Sequence, residues 1–313
     1  MKCIVTGAAG FIGSHLCEAL LQAGYQVVGL DNFMPYYPRS HKEANLVALR
    51  GRPGFEFQEI DLRNGQLDPL VAEGDAVFHL AAMPGLTQSW IDFDAYWTCN
   101  VQATRRLLEA VKAHAPKLQR FIQVSTSSAY GKFASGDETL PTRPISPYGV
   151  TKLAGEQLCW AYAEAFQVPV VVLRYFSVYG PRQRPDMGYQ RFITALASGE
   201  PITVYGDGLQ VRGNTYVSDI VAATIAALGA PLGETYNLGG TEMANVWDIL
   251  KRPESITGIA PRIEQQPERP GDQRHTFADC SKARRHLNWR PQVTLAEGLA
   301  QQWQWYQANG LSR

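Results

Sequence analysis

Two residues four apart, Tyr148 and Lys152 in SPYGVTK (146–152), carry the clearest chemical signal in the chain. Ser146 is a helix cap and Pro147 suits the first helical position, so the pair falls on one face of a helix that starts there. Spacing alone allows two readings. One is a surface helix with an incidental pair; the other is a phenol used as a base and tuned by an ammonium. A free tyrosine titrates near 10, so base chemistry near neutrality needs its pKa lowered by about three, which one exposed lysine does not supply. Gly149, in the first turn, costs helix stability and calls for its own explanation.

A second signal lies at the start of the chain. TGAAGFIG (6–13) joins a strand-like run, CIVT, to a helical one, with glycines at 7, 10 and 13. This is the context of a dinucleotide loop. Gly7 permits the turn, Gly10 lets backbone approach a pyrophosphate, Gly13 lets the helix pack closely, and the helix start faces the phosphates. Asp31 ends the next strand. A carboxylate there accepts from both adenosine ribose hydroxyls and repels a 2′-phosphate, which favours NAD over NADP; a solvated strand-end aspartate is the plainer alternative.

The elements that would position these groups follow from periodicity. Apolar runs at 3–6, 26–31, 55–60, 76–80, 121–125 and 168–173 alternate with helical patterns at 11–23, 95–113 and 147–166. That alternation predicts an α/β fold, a Rossmann-type doubly wound parallel sheet over residues 1–175. Beyond 175 the pattern loosens into short strands (202–205, 214–217) and helices (218–228, 281–287, 295–308). Residues 176–313 are read as a smaller mixed α/β substrate-binding region, with later segments returning to the first. Trp303, Trp305 and Tyr306 in the last helix are read as packing.

Composition narrows the partners. Lys plus Arg and Asp plus Glu both number 29, so neither nucleic acid nor an anionic membrane is expected as main partner. The five cysteines form no C-x-x-C, which points to a reducing compartment without a zinc site, any other metal or a disulfide framework. MKCIVTGAAGF does not read as a signal peptide, and no apolar run approaches the ~18 residues of a membrane span. A soluble cytoplasmic protein is expected.

In order along the chain, TGAAGFIG, Asp31, DL (61–62), HLAA (79–82), Asn100, STSSAYG (125–131), Tyr148-x-x-x-Lys152, RYFSVYGPRQRPD (174–186), GDGLQVRGNTYVSD (206–219), NLGG (237–240) and RPGD (269–272) resemble the extended short-chain dehydrogenase/reductase family, in its nucleotide-sugar epimerase and dehydratase branch. The resemblance implies NAD as cofactor, Tyr148 as acid/base, Lys152 as its partner and holder of the nicotinamide ribose, and Thr126 sharing a hydrogen bond with the substrate hydroxyl. It implies cofactor contacts from Gly7, Gly10, Phe11, Ile12, Gly13, Asp31, Asn32, Asp61, Leu62, Leu80, Ala81, Ala82, Asn100 and Tyr175. For Asn100 the resemblance also implies a structural and water-holding role, and a plain helix-surface amide is the alternative.

At the other end the resemblance assigns a UDP-sugar to Ser177, Arg184, Arg191, Val204, Tyr205, Arg212, Arg269 and Asp272, with Arg212 and Arg269 gripping the diphosphate through their donor forks and Asp272 contacting a ribose. Family members read RDFTYV where this chain has RGNTYV, so Gly213 and Asn214 depart from the pattern around Arg212. Dehydratases of the family place Asp-Glu after the active-site threonine, and uronate decarboxylases have a glutamate at the second position. Here Ser127 and Ser128 stand there, which leaves 4-epimerization of UDP-glucuronate or UDP-glucose. The alternatives are a UDP-uronate decarboxylase, a 4,6-dehydratase, a ketone reductase and a non-catalytic NAD-binding regulator. GPRQRPDMG and the Thr126–Ser128 hydroxyls resemble UDP-glucuronate 4-epimerases, with Arg184 either facing a C6 carboxylate or bound to the protein's own acids. The helices at 95–113 and 147–166 are implied as a homodimer interface.

Overall fold

A computed structural model describes residues 1–240, 242–268 and 272–309. Its main layer begins with β1 (Lys2–Thr6), β2 (Gln26–Asp31), β3 (Phe55–Glu59), β4 (Ala76–His79) and β5 (Arg120–Thr126). The short β6 (Phe133–Gly136) leaves this layer, β7 (Val170–Tyr175) rejoins it, and β8 (Ser177–Tyr179), β9 (Ile202–Tyr205) and β10 (Val211–Tyr216) lie outside it before β11 (Glu234–Leu238) returns. The resulting seven strands run β11-β7-β5-β4-β1-β2-β3, all in parallel. Every residue of β4 and β7 is buried, as a sheet covered on both faces requires. The predicted doubly wound fold is what forms; the seventh strand carries no strand expectation from periodicity, because ETYNL is short and half polar.

The first half supplies α1 (Phe11–Gln22), α2 (Arg39–Leu46), α3 (Asp68–Ala72), α4 (Phe93–Tyr96), α5 (Ala103–His114) and α6 (Pro147–Phe166). The single helix expected at 95–113 is instead broken: Trp97–Gln102, between α4 and α5, is wound as a π-helix. Such wider turns are frequent at functional sites. α6 starts as its sequence dictates, with the Ser146 hydroxyl accepting from Gly149 N at 3.1 Å and Pro147 in the first turn.

The remaining pieces are α7 (Gly188–Ser198), α8 (Val217–Ala226), α9 (Val246–Thr257), α10 (Ser281–Leu287) and α11 (Leu295–Asn309), with β12 (Met243–Ala244), β13 (Ile263–Gln266) and β14 (His275–Ala278). They make a sheet ordered β12-β10-β14-β6, with β8 also on β10, and a separate β9–β13 pair. Trp303 and Tyr306 stack on each other in α11, at 6.2 Å between centroids.

Candidate active site

The loops that follow β1, β4, β5 and β7 converge, and β1 is flanked by β2 and β4, whose connections leave in opposite directions. That is the switch point where a crevice opens in such sheets. A cleft of about 410 Å³ lies there. At its cofactor end Gly7 has φ +74°, and an added Cβ would sit 2.9 Å from Ala81 N. A Cβ on Gly13 would lie 2.1 Å from Gly7 O, so α1 meets the loop at a distance only glycine allows. Gly7, Gly10, Phe11, Ile12, Gly13, Asp31, Asn32, Asp61, Leu62, Leu80, Ala81 and Ala82 all line the cleft.

Asp31 takes Ala9 N on Oδ2 at 3.1 Å and Phe33 N on Oδ1 at 2.8 Å, which fixes the carboxylate and leaves lone pairs toward the cleft. Asp61 is gripped by Arg63 and Asn32, and hydrogen bonds from Arg63 above all hold its carboxyl down at about 2. Lys42, buried, reaches within 3.7 Å of Asp31 and donates to Met34 O. Burial lowers its pKa and Asp31 raises it again. Lys42, Met34 and Tyr37 line this end too, and Tyr36 from the same stretch reaches the reactive side, where it donates to Asp186 at 3.3 Å. The signal for them is position alone: the stretch after a strand-end aspartate must pass the adenosine.

Below the loop, Thr6 Oγ1 accepts from Ala81 N at 3.0 Å and lies 2.7 Å from His79 Nδ1. Since Thr104 gives its proton to Asn100 O, it accepts from His79 Nε2 at 3.0 Å, and the imidazole is neutral with its proton on Nε2. Burial, then the Lys152 charge, pushes His79 down to about 3, in agreement.

At the reactive centre Thr126, Ser127, Ser128, Tyr148, Lys152, Tyr175, Ser177 and Arg184 share the cleft wall. A Cβ on Gly149 would stand 2.7 Å from Ser128 O, so the glycine in the first turn of α6 lets the Tyr148 helix press against the serine turn. Lys152 is buried and donates to Val124 O at 2.7 Å. Burial pushes its ammonium down to about 8, and the carboxylate of Glu156 pulls it back. Burial raises the Tyr148 phenol, while the Thr126 hydroxyl and Arg184 favour the phenolate. The phenol stands edge-on to Tyr96, 6.2 Å between centroids. Gln273, absent from the sequence expectations, braces the serine turn: its Nε2 donates to Ser127 O at 3.2 Å and Gly131 O at 2.7 Å, and its Oε1 accepts from Ser127 Oγ at 3.3 Å.

Several expected contacts fall elsewhere. Asn100 is buried and does not line the cleft; its Oδ1 takes Met83 N at 2.6 Å and its Nδ2 donates to Met83 O and Thr151. The π-turn aims it inward, so it staples the β4 loop to α6. Val204 is core, packed with Leu196, Ile202 and Leu250. Arg191, exposed on α7, Tyr205 and Asp272 are also outside the lining, and Arg269 lies outside the described residues. Arg212 does line the cleft from β10; burial lowers its pKa and Asp272 offsets that. The Gly213–Asn214 departure keeps β10 paired with β8 and β12. Arg184 is bound to Asp186 through Nε and Nη2, both at 3.0 Å, so the arginine both faces the cleft and is bound to the protein's own acid. Among the described residues no group of three or more potential ligands could hold a metal ion.

The glycine cradle, the anchored Asp31 and the buried Lys152 fit a dinucleotide at one end and an oxidisable alcohol at Tyr148. Residues 3–239 match the NAD dependent epimerase/dehydratase family, and the chain belongs to that family. Among its relatives, it is 45% identical over 96% of both chains to the uncharacterized UDP-glucose epimerase YtcB of Bacillus subtilis. It is 38% identical to a UDP-glucuronate 4-epimerase of Thermodesulfobacterium geofontis, over 98% of this chain and 96% of the other. It superposes on the UDP-glucuronic acid 4-epimerase of Bacillus cereus, solved with UDP-glucuronic acid and NAD, with a TM-score of 0.96 and 44% identity over 99% of this chain and 100% of the other.

Proposed function

We propose that the protein epimerizes a UDP-hexose at C4, UDP-glucuronate before UDP-glucose. The observation that carries this reading is the composition of the cleft wall. Its carboxylates, Asp31 and Asp61, are both at the adenosine end, while the wall around Tyr148 presents Thr126, Ser127 and Ser128. A 4,6-dehydratase needs a carboxylic acid and a carboxylate beside the sugar to move protons at C5 and C6; these hydroxyls do neither.

Tyr148 takes the proton of the C4 hydroxyl, which Thr126 also contacts. Lys152 stabilises the phenolate through its buried charge and holds the nicotinamide ribose. NAD, when bound, accepts the C4 hydride and gives it back, so none is consumed. The 4-keto sugar then turns over and receives the hydride on its other face, and Tyr148 returns the proton. With a uronate the keto sugar is a β-keto acid that loses CO₂ when its carboxylate lines up with the carbonyl π system. Ser127, Ser128 and Arg184 hold that carboxylate out of line. Arg212 grips the diphosphate and Ser177 stands at the sugar, both from the cleft wall. Incubation with UDP-glucose, UDP-glucuronate and their N-acetyl relatives, followed by product analysis, tests this: C4-inverted product without net NADH supports it, and none from any of them refutes it.

Residues 1–175 form the cofactor unit in this reading and 176–313 mainly the nucleotide-sugar unit. Exposed Trp90, Ile91, Phe93, Trp97, Val150 and Phe166 lie on or beside the α4–α5 and α6 helices, which supports a homodimer through them; sedimentation as a monomer would rule it out. Five unpaired cysteines support a cytoplasmic site. No described helix is long and apolar enough to cross a membrane.

A further inference from the structure

α6 carries a third ionisable residue in line with the first two. Tyr148, Lys152 and Glu156 recur every four residues and so follow one face. Three consecutive residues of β5 meet them: Thr126 bonds the phenol, Val124 O takes the ammonium, and the Ser125 hydroxyl donates to the Glu156 carboxylate. Glu156 has no exposed surface at all. It is gripped by Arg174 on β7, with Nη2 to Oε2 at 2.6 Å and Nε to both oxygens at 3.1 Å. Arg174 is fixed in turn by Tyr130, whose hydroxyl donates to Asn237 on β11 at 2.7 Å.

A buried, clamped carboxylate one helical turn beyond the catalytic lysine is more than a packing device. We propose that Glu156, held by Arg174, is the positioning residue that keeps Lys152 a protonated ammonium in its buried site. This rests on the reading that Tyr148 and Lys152 run the C4 oxidation. The other groups around Lys152 are neutral His79 on β4, the Tyr148 phenol and the Cys159 thiol on its own helix, and the Val124 carbonyl on β5; the carbonyl accepts from the ammonium and Cys159 favours its charge, less than Glu156 does. Burial works against its charge, and the Glu156 carboxylate is the main influence in its favour. Arg174 repels the ammonium but prevents the carboxylate from collapsing onto it, which would spend the charge on a direct ion pair instead of on the phenolate. The clamp thus makes the fixed charge available at a set distance.

The experiment is a sign test on the full-length protein carrying its NAD. The Lys152 titration is followed by NMR of ¹³Cε-labelled lysine, assigned through Lys152→Met, and beside it the alkaline limb of the turnover–pH profile. Glu156→Gln should lower the Lys152 midpoint and the limb by about one pH unit, the lower range for loss of an opposite charge. Arg174→Gln should raise both. Glu156→Asp, which keeps the charge, should restore most of the wild-type midpoint. A merely structural pair would make both charge-removing variants act in the same direction, and that result, or an unmoved midpoint in Glu156→Gln, overturns the proposal. If Glu156→Gln does not fold, the Arg174→Gln shift decides alone, upward in support and otherwise against. Because the resonance needs no sugar, lack of turnover with UDP-glucuronate would remove the proposed substrate and leave this inference to the NMR result.

Discussion

The two ends of the cleft are built by different means. At the cofactor end each wall segment is the first turn after a strand of one parallel sheet, and the recognising groups are backbone or an immobilised carboxylate. At the end assigned to the nucleotide-sugar the wall is made of side chains from scattered pieces: Ser177 on β8, Arg212 on β10, and Arg184, Met187 and Gln273 outside the strands. The first end is therefore held in advance. The second is held by side-chain pairs, its arginine fork at Arg184 resting on Asp186.

Substitutions should respect that division, in decreasing order of effect. Tyr148→Phe keeps the ring and removes the proton carrier; turnover should fall at least ~100-fold with bound NAD unchanged, and near-normal turnover would end the assignment. Arg184→Ala removes a charge-assisted bond worth roughly 1.5–3 kcal/mol. Epimerization of UDP-glucuronate should slow about tenfold or more and UDP-pentose should appear by mass spectrometry, with NAD retention unaffected. Smaller losses of the same kind are expected for Ser127→Ala and Ser128→Ala. Asp31→Ala acts on the other end only. It leaves the buried Lys42 without its acid, so NAD affinity should drop several-fold, on the order of one charge-assisted bond, while NADP affinity rises; UDP affinity, measured by calorimetry, should not move. A change in both ligands from either variant would erase the distinction between the ends.

Turnover should also fall as pH rises through about 8, where the buried Lys152 loses its proton. The sign follows from the depressed pKa of a base: the useful form is the protonated one and lies below it. A pH profile flat through pH 9 would break that link.

The same contrast explains what was legible in the sequence. The cofactor end could be read because sheet order, glycine spacing and strand-end residues are all local signals. The structural role implied for Asn100 fits its bonds to Met83 and Thr151, but the side it faces could not be read, because a π-turn changes where a residue emerges and spacing assumes α geometry. Lys42, Gln273 and the Glu156–Arg174 clamp are single residues whose meaning comes from partners far away in the chain. Val204 matched by position, yet its apolar side chain is better used in the small core beside β9.

The edge of the main sheet has a consequence for how the chain is made. β7 is covered on its outer side by β11, so the stretch from 176 to 233 must be traversed before that edge is closed. A nascent chain emerging in order would leave one edge of an apolar strand, VVVLRY, unpaired throughout that interval, an invitation to pair with other chains. A fragment stopped at 175 would carry the glycine loop and the Tyr148 helix and still be a poor candidate for independent life, because its sheet is completed only by β11, a strand from beyond that point.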